Sequence, residues 1–471
     1  MLAMFMAAIE ATIVATAMPT IVSVLGGFEL FSWVFSIFLL CQAVTIPIYG
    51  KLADLYGRKP VFFAGTGVFL VASLLAGFSS TMIQLIIFRA IQGIGAGAIM
   101  PIASTVIGDI YEPEERARIQ GYLSSVWGIS SVIGPALGAL FVQKLTWSLV
   151  FWVNIPVGLL SILMTALFLK EDVSARKHSI DYLGSILLIL GTGLLMLTLI
   201  QGSMLSGSVV SALAATSIIL LILFLMHERK APEPMMPLDL WKNTIIAVGN
   251  TGGLAAGALL MAVTTFLPSY VQGVMGGSPA VAGFTLSMMS IGWPLASAMG
   301  GRLMVKTSYR SVAQVGGVLL IIGTVVLATL TPERGILWAG TGTFLVGGGM
   351  GFTTTVFLVS IQSSVGWNRR GVATSSNLFT RLVGMSLGAA FFGALLNYGL
   401  QKRVPGELHV VNQIMDPVLR NTLDPQRLSK LQDAMSTSLH QVYLVNVIIA
   451  VVVLALCFLI PKGIKPTGSK T

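Results

Sequence analysis

The chain has 471 residues, 55% of them apolar and only 10% charged, with a formal net charge of +10 and a mean hydropathy of +0.87. Soluble domains carry roughly 25% charged residues, so this composition excludes a soluble enzyme or nucleic-acid-binding domain and places the chain in a bilayer. Cys41 and Cys457 both fall inside apolar runs, which excludes a disulfide framework and a cysteine metal site.

A membrane-spanning helix needs about 20 mostly apolar residues. Fourteen such runs follow one another, near 1–24, 31–50, 60–79, 82–107, 119–142, 147–169, 180–201, 207–226, 245–272, 281–304, 311–330, 335–361, 371–398 and 440–460. The opening residues lack a basic region and the first run is long enough to span, so no cleavable signal peptide is expected. With the N-terminus in the cytoplasm, most basic residues fall in cytoplasmic loops, among them Lys51, Arg58, Lys59, Arg116, Arg118, Arg229, Lys230, Arg302, Arg310, Arg369 and Arg370. That asymmetry places both termini inside and accounts for the positive charge without nucleic acid.

The organisation expected is an all-α membrane protein of two six-helix bundles plus a two-helix central insertion. Residues 1–170 form the first bundle, 171–242 the inserted hairpin and its linker, and 243–471 the second bundle with an external loop at 399–439. The linker 227–242 is charged and proline-rich, as a connector should be. The two bundles are suggested by an echo. Gly50-Lys51-Leu52-Ala53-Asp54-Leu55-Tyr56-Gly57-Arg58-Lys59 recurs in degenerate form at Gly301–Arg310, with Val305 where the first copy has Asp54. Internal repeats of this kind mark secondary transporters.

Candidate site residues appear in chain order. Glu10 is the only acidic residue deep in the first run. A carboxylate at that depth is costly and by default functional: burial favours its protonated form and a bound cation its ionised form, as proton-for-cation exchange requires. The alternative is a structural glutamate near the headgroups. In the 50–59 loop, Gly57 permits a tight turn and Gly50 close helix approach. Asp54 is placed to interact with a helix N-terminus, Arg58, Arg116 or Arg118, forming with Lys59 a conformational latch. Arg89 lies mid-span, three residues before Gln92, and must find acceptors inside the bundle. Arg381 is its near-symmetric counterpart. Gly134 and Gly138 form a small-residue face, with Pro135 bending the fifth helix. Trp33, Gln42, Trp127, Asn154, Asn250, Gln272, Trp293, Asn377, Arg381 and Asn397 supply aromatic and polar groups for a central cavity, against the plainer reading that they pack helices. The stretch 424–435 is amphipathic, with Leu428, Leu431 and Met435 on one face; a solvated or membrane-surface hairpin is expected there rather than a gate.

These features resemble the major facilitator superfamily, and more narrowly its fourteen-span drug–proton antiporter family of the QacA/EmrB type. The 50–59 loop, Arg89 with Gly93, Gly134-Pro135, the Glu10–Val14 run and Phe151–Pro156 carry the resemblance. It implies a major facilitator fold in a bacterial cell membrane and a monomer without cofactor or metal. The function implied is proton-coupled export of lipophilic, often cationic drugs by alternating access. Glu10 stands where many members have Asp, Ala139 where Gly is usual, and Ser148 where Arg is frequent. No acidic residue lies deep in a C-terminal span, which argues against efficient export of dications. A lipid or envelope-precursor flippase is the rival reading, and a non-transporting receptor a third.

Overall fold

The computed structural model describes residues 1–110, 126, 129–130, 133–169, 181–202, 205–232, 234, 236, 238–366, 370–405, 408–415 and 417–461. All regular secondary structure in these residues is helical, as it must be where no water is present to satisfy a lipid-exposed backbone. Among the described residues, thirteen helices are long and apolar enough to cross a membrane.

The first group is α1 (Leu2–Leu25), α2 (Phe31–Tyr56), α3 (Arg58–Gly77) and α4 (Met82–Ile110). The fifth expected span lies largely outside the described residues, and its described part forms helix α5 at 133–144. After it comes α6 (Leu149–Phe168). The hairpin is α7 (Tyr182–Gln201) and α8 (Gly207–Glu228). Next are α9 (Thr244–Val274), whose last residues form a π turn, α10 (Pro279–Lys306), α11 (Tyr309–Ala328), α12 (Gly335–Ser363) and α13 (Arg370–Arg403). A short α14 (Leu408–Met415) precedes the last span, α15 (Pro425–Leu459).

Helix ends are set by local chemistry. Gly57 has φ 93°, a region closed to residues with a Cβ, so the chain reverses there between α2 and α3. Ser278 caps α10 with Pro279 at the first helical position, and Asp424 does the same for α15 ahead of Pro425. Inside the bundles α4 packs on α2 and α3, and α12 packs on α10 and α11. Glycines bring these backbones together: a Cβ on Gly95 would strike Phe69 on α3, and one on Gly347 would strike Met289 on α10.

The hairpin lies along α2 and α13. Leu40, Ala43 and Val44 share one apolar cluster with Leu188, Met196, Phe379 and Val383. The expected linker begins too early, because His227 and Glu228 are the last turn of α8. His227 Nε2 lies 2.6 Å from Asp181 Oδ1, which also accepts from the Gly184 amide at 2.8 Å. Glu228 accepts from the Met236 amide at 2.8 Å. Burial opposes ionisation of Asp181, but the Gly184 amide and His227 outweigh it and hold this carboxyl below its ordinary range.

The two six-helix groups meet away from the face that carries the Gly57 turn, termed the basic face for its Arg58 and Lys59. Three hydrogen bonds between described residues join them. Gln272 donates to the Thr16 carbonyl (3.2 Å), Ser386 to the Ser36 carbonyl (2.7 Å) and Asn397 to the Glu29 carbonyl (2.8 Å). Phe31 packs on Phe266 at 5.8 Å between centroids. The 408–435 segment closes this opposite face. Residues of α14 touch α1 and the π turn of α9. Arg420 donates to the Gln272 carbonyl at 3.0 Å and Gln432 to the Gly273 carbonyl at 3.2 Å, satisfying acceptors that a helix end leaves open. Leu431 and Met435 are buried. The amphipathic stretch is therefore the packed N-terminal end of α15, not a solvated or surface-lying hairpin: its apolar stripe finds a protein partner before it finds lipid.

One face of α13 records the resulting shape. Leu378 is 37% exposed, and Leu382 and Met385 are half-buried. Further along the same face Ala389, Phe392, Leu396 and Leu400 are buried. This one face is exposed or half-buried toward the basic side and buried toward the opposite side.

Candidate functional site

The first group of helices holds a polar network that its apolar surroundings make conspicuous. Glu10 on α1 is 1% exposed and Arg89 on α4 is 2% exposed. Nη1 of Arg89 bonds Oε1 of Glu10 and lies 2.6 Å from Oε1 of Gln92. The Arg89 Nε donates to the Val34 carbonyl at 3.2 Å, and the guanidinium stacks 3.9 Å from the Phe38 ring centroid. Asn154 on α6 donates to the other carboxylate oxygen of Glu10 at 2.6 Å. Gln92 in turn donates to Ser73 on α3 at 2.8 Å. Five helices thus converge on one ion pair.

Each member has a sequence reason for its place. Gln92 shares a helix face with Arg89 because three residues separate them. Gly93 admits the α2 backbone, since a Cβ there would meet Phe38 and Cys41; that close approach sets Phe38 beneath the guanidinium. Both Glu10 oxygens accept from donors, so the arrangement suits the carboxylate. Arginine keeps its charge at any accessible pH, so protonating Glu10 would leave a buried cation without its counter-ion. A rearrangement must follow. That is the chemistry a proton-driven conformational change needs.

Beside this network, Gly134 and Gly138 of α5 face Thr12, Ile13 and Thr16 of α1, leaving no room for a Cβ. Pro135 points the other way and meets Gly283 on α10. A cavity of about 30 Å³ separates α1 and α5 from α9 and α10, lined by Ala11, Thr12, Pro135, Thr264, Met289 and Ser290. That volume admits no more than a few waters, far less than a drug-sized ligand needs.

Among the described residues, a Cβ on Gly50 would meet nothing within 4 Å. Asp54 lies in α2, two residues before Tyr56. Arg58 opens α3. Lys59 donates to the carbonyls of Ala166 (2.7 Å) and Leu169 (3.2 Å), a cation on the C-terminus of α6 worth about 0.3–1 kcal/mol. Arg118 and Trp127 lie outside the described residues. Of the cavity candidates, Asn154 belongs to the Glu10 network, and Gln272 joins the two groups. Asn377 donates to the Gly249 carbonyl at 2.9 Å, and Asn250 to Ser376 at 3.1 Å, fastening α13 to α9. Trp33 packs on the hairpin cluster. In this arrangement these side chains are engaged between helices, the amides with acceptors that neighbouring helices present and Trp33 with apolar side chains. Trp293, Gln42 and Arg381 are half-buried.

The sequence reading missed Ser73 and the Asp181–His227–Glu228 cluster. A serine in an apolar helix gives no signal of its own. Asp181 directly before an apolar run does, as a helix N-cap.

Comparison with known proteins agrees with this architecture. The chain is 34% identical to multidrug resistance protein 3 of Bacillus subtilis (strain 168), covering 100% of this chain and 96% of that protein. It is 35% identical to the multidrug transporter protein MdtP of the same organism, over 84% of this chain and 74% of that one. Among solved structures it is similar to a bacterial homologue of the human lysosomal transporter Spinster, inward-facing and unoccupied. That likeness has a TM-score of 0.70 at 16% identity, over 97% of this chain and 94% of the other. Residues 1–389 match the Major Facilitator Superfamily, and the chain belongs to that family of membrane transporters.

Proposed function

We propose that this chain is a multidrug exporter of the drug–proton antiporter type, working by alternating access across a bacterial cell membrane. The observation that carries the reading is the buried Glu10–Arg89 pair, within a chain similar over its full length to a multidrug resistance protein. In this reading the chain spans the membrane fourteen times with both termini in the cytoplasm, and the basic face is cytoplasmic. It acts as a monomer on small lipophilic compounds, with residues 1–170 and 243–471 as the rocking units and 171–242 as an insertion.

Closed on the outer side and open toward the cytoplasm, the protein accepts substrate with Glu10 ionised. After the bundles rock, a proton from outside neutralises Glu10, Arg89 loses its counter-ion, and substrate affinity falls. Return to the present arrangement delivers the proton inside. The 50–59 loop with Arg118 would latch the alternate state, and the Gly134-Pro135-Gly138 face would give α5 its sliding contact with α1.

The test is acid-driven uptake of lipophilic dyes into inverted vesicles, comparing wild type with Glu10→Gln and Glu10→Asp. Uptake should require the pH gradient, vanish in Glu10→Gln and survive in Glu10→Asp. Unchanged pH dependence in Glu10→Gln removes Glu10 from coupling, and uptake indifferent to any gradient removes the antiporter reading.

A further inference from the structure

We infer that Arg381 is an anion-recognition point for substrate, so that the compounds carried best bear a carboxylate or similar acid on a lipophilic body. The inference rests on the efflux reading above and narrows its substrate class.

Arg381 lies eleven residues into α13, about 17 Å from the start of that helix at 1.5 Å per residue, and therefore deep in the hydrocarbon layer. A charge at that depth persists only when it is paired, or when it faces a water-filled space or ligand. Arg89 meets the first condition four times over. Arg381 meets none of it. No hydrogen bond or ion pair joins its guanidinium to any described residue, and no carboxylate acts on it. It is half-buried, not enclosed.

The direction it faces follows from its helix neighbours. Asn377 and Met385, one turn to either side, both lie against α9. Phe379 and Val383 face the other way, into the cluster with α2 and α7. The lipid-facing side of the helix is marked farther along by Phe391 and Tyr398, at 41% and 60% exposure, and Arg381 is not on it. Its own carbonyl packs on Gly257 of α9, and its side chain lies between that α9 contact and the stripe of Leu378 and Leu382, which is exposed or half-buried here and buried from Ala389 onward. The guanidinium is therefore half-buried beside a stripe of apolar residues that becomes more exposed toward the basic face.

Charge balance completes the argument. Both Glu10 oxygens are engaged, by Arg89 and Asn154, and none of the described spans α9 to α13 contains an acidic residue. A lipophilic cation reaching this stripe meets no free carboxylate and one free guanidinium. An amphipathic acid meets a planar donor that binds carboxylate in a bidentate manner, with Leu378, Leu382 and Met385 beside it for the apolar body.

The experiment is equilibrium binding to purified protein in detergent, without any proton gradient, of rhodamine B and its ethyl ester, which differ only in the free carboxylate. Wild type should bind the acid at least tenfold more tightly than the ester. Arg381→Gln should lose that preference by weakening the acid alone, and Arg381→Lys should keep most of it. Wild type that binds the ester as well as the acid, or binds neither dye, overturns the proposal. So does Arg381→Gln that weakens both dyes equally. If Arg381→Gln does not fold, the acid-to-ester ratio of wild type and of Arg381→Lys decides alone. A clear acid preference in a protein whose transport ignores the pH gradient would leave Arg381 in place while removing the proton coupling.

Discussion

The two six-helix groups each hold one arginine deep in the membrane, and the two are treated in opposite ways. Arg89 is closed in by Glu10, Gln92, the Val34 carbonyl and the Phe38 ring. Arg381 has a comparable depth and an open side, with no partner among the described residues. The contrast separates two uses of an intramembrane charge. One is balanced internally by its counter-ion. The other has no counter-ion among the described residues. Under the reading proposed above, the first serves coupling and the second recognition.

The largest effect that would break this comparison lies at Glu10. Removing one partner of a buried pair costs about 3–5 kcal/mol, and the cost should be unequal. Glu10→Gln strands a cation that cannot lose its charge, whereas Arg89→Gln strands a carboxylate that can take up a proton. Thermal unfolding in detergent should therefore rank wild type above Arg89→Gln and Arg89→Gln above Glu10→Gln. The double variant should recover stability without recovering gradient-driven transport. Equal losses in the two single variants would mean that the pair is not closed to solvent.

A smaller effect should appear where the groups touch. Gly283→Val drives side-chain atoms into Pro135, and overpacking costs about 1–3 kcal/mol. The closed arrangement of the opposite face bears that cost, so spin labels on α5 and α10 should move apart there. Labels that stay at the wild-type separation would show that this contact does not hold the face shut.

The smallest effect should belong to Arg381→Gln. With no partner to strand, the substitution should leave the unfolding temperature within about 1 °C of wild type, or raise it, because an uncompensated charge leaves the membrane. A loss as large as that of Arg89→Gln would show that Arg381 is a structural residue, and the two arginines would no longer differ in kind.

Much of this was legible from the chain alone. Apolar run length decides spanning helices because the bilayer leaves no other way to satisfy a backbone, so thirteen spans fell where the runs are. Glu10 and Arg89 stood out for the same reason: a charge in such a run is too costly to be incidental. The Gly57 turn was readable because only glycine tolerates its φ. Partners were not readable. The sequence marks Asn154, Gln272 and Asn377 only as polar residues in apolar helices, and it ranked them together as cavity lining. Tertiary packing set Asn154 on Glu10, Gln272 across the two groups and Asn377 on α9, because each amide takes whichever acceptor the neighbouring helix presents. The same holds for the 424–435 stretch, whose apolar stripe fits lipid or protein equally well until α9 is seen beneath it. Sequence alone determined which residues carry charge into the membrane. The tertiary structure decided which charges are answered, since that depends on helices far apart in the chain approaching one another.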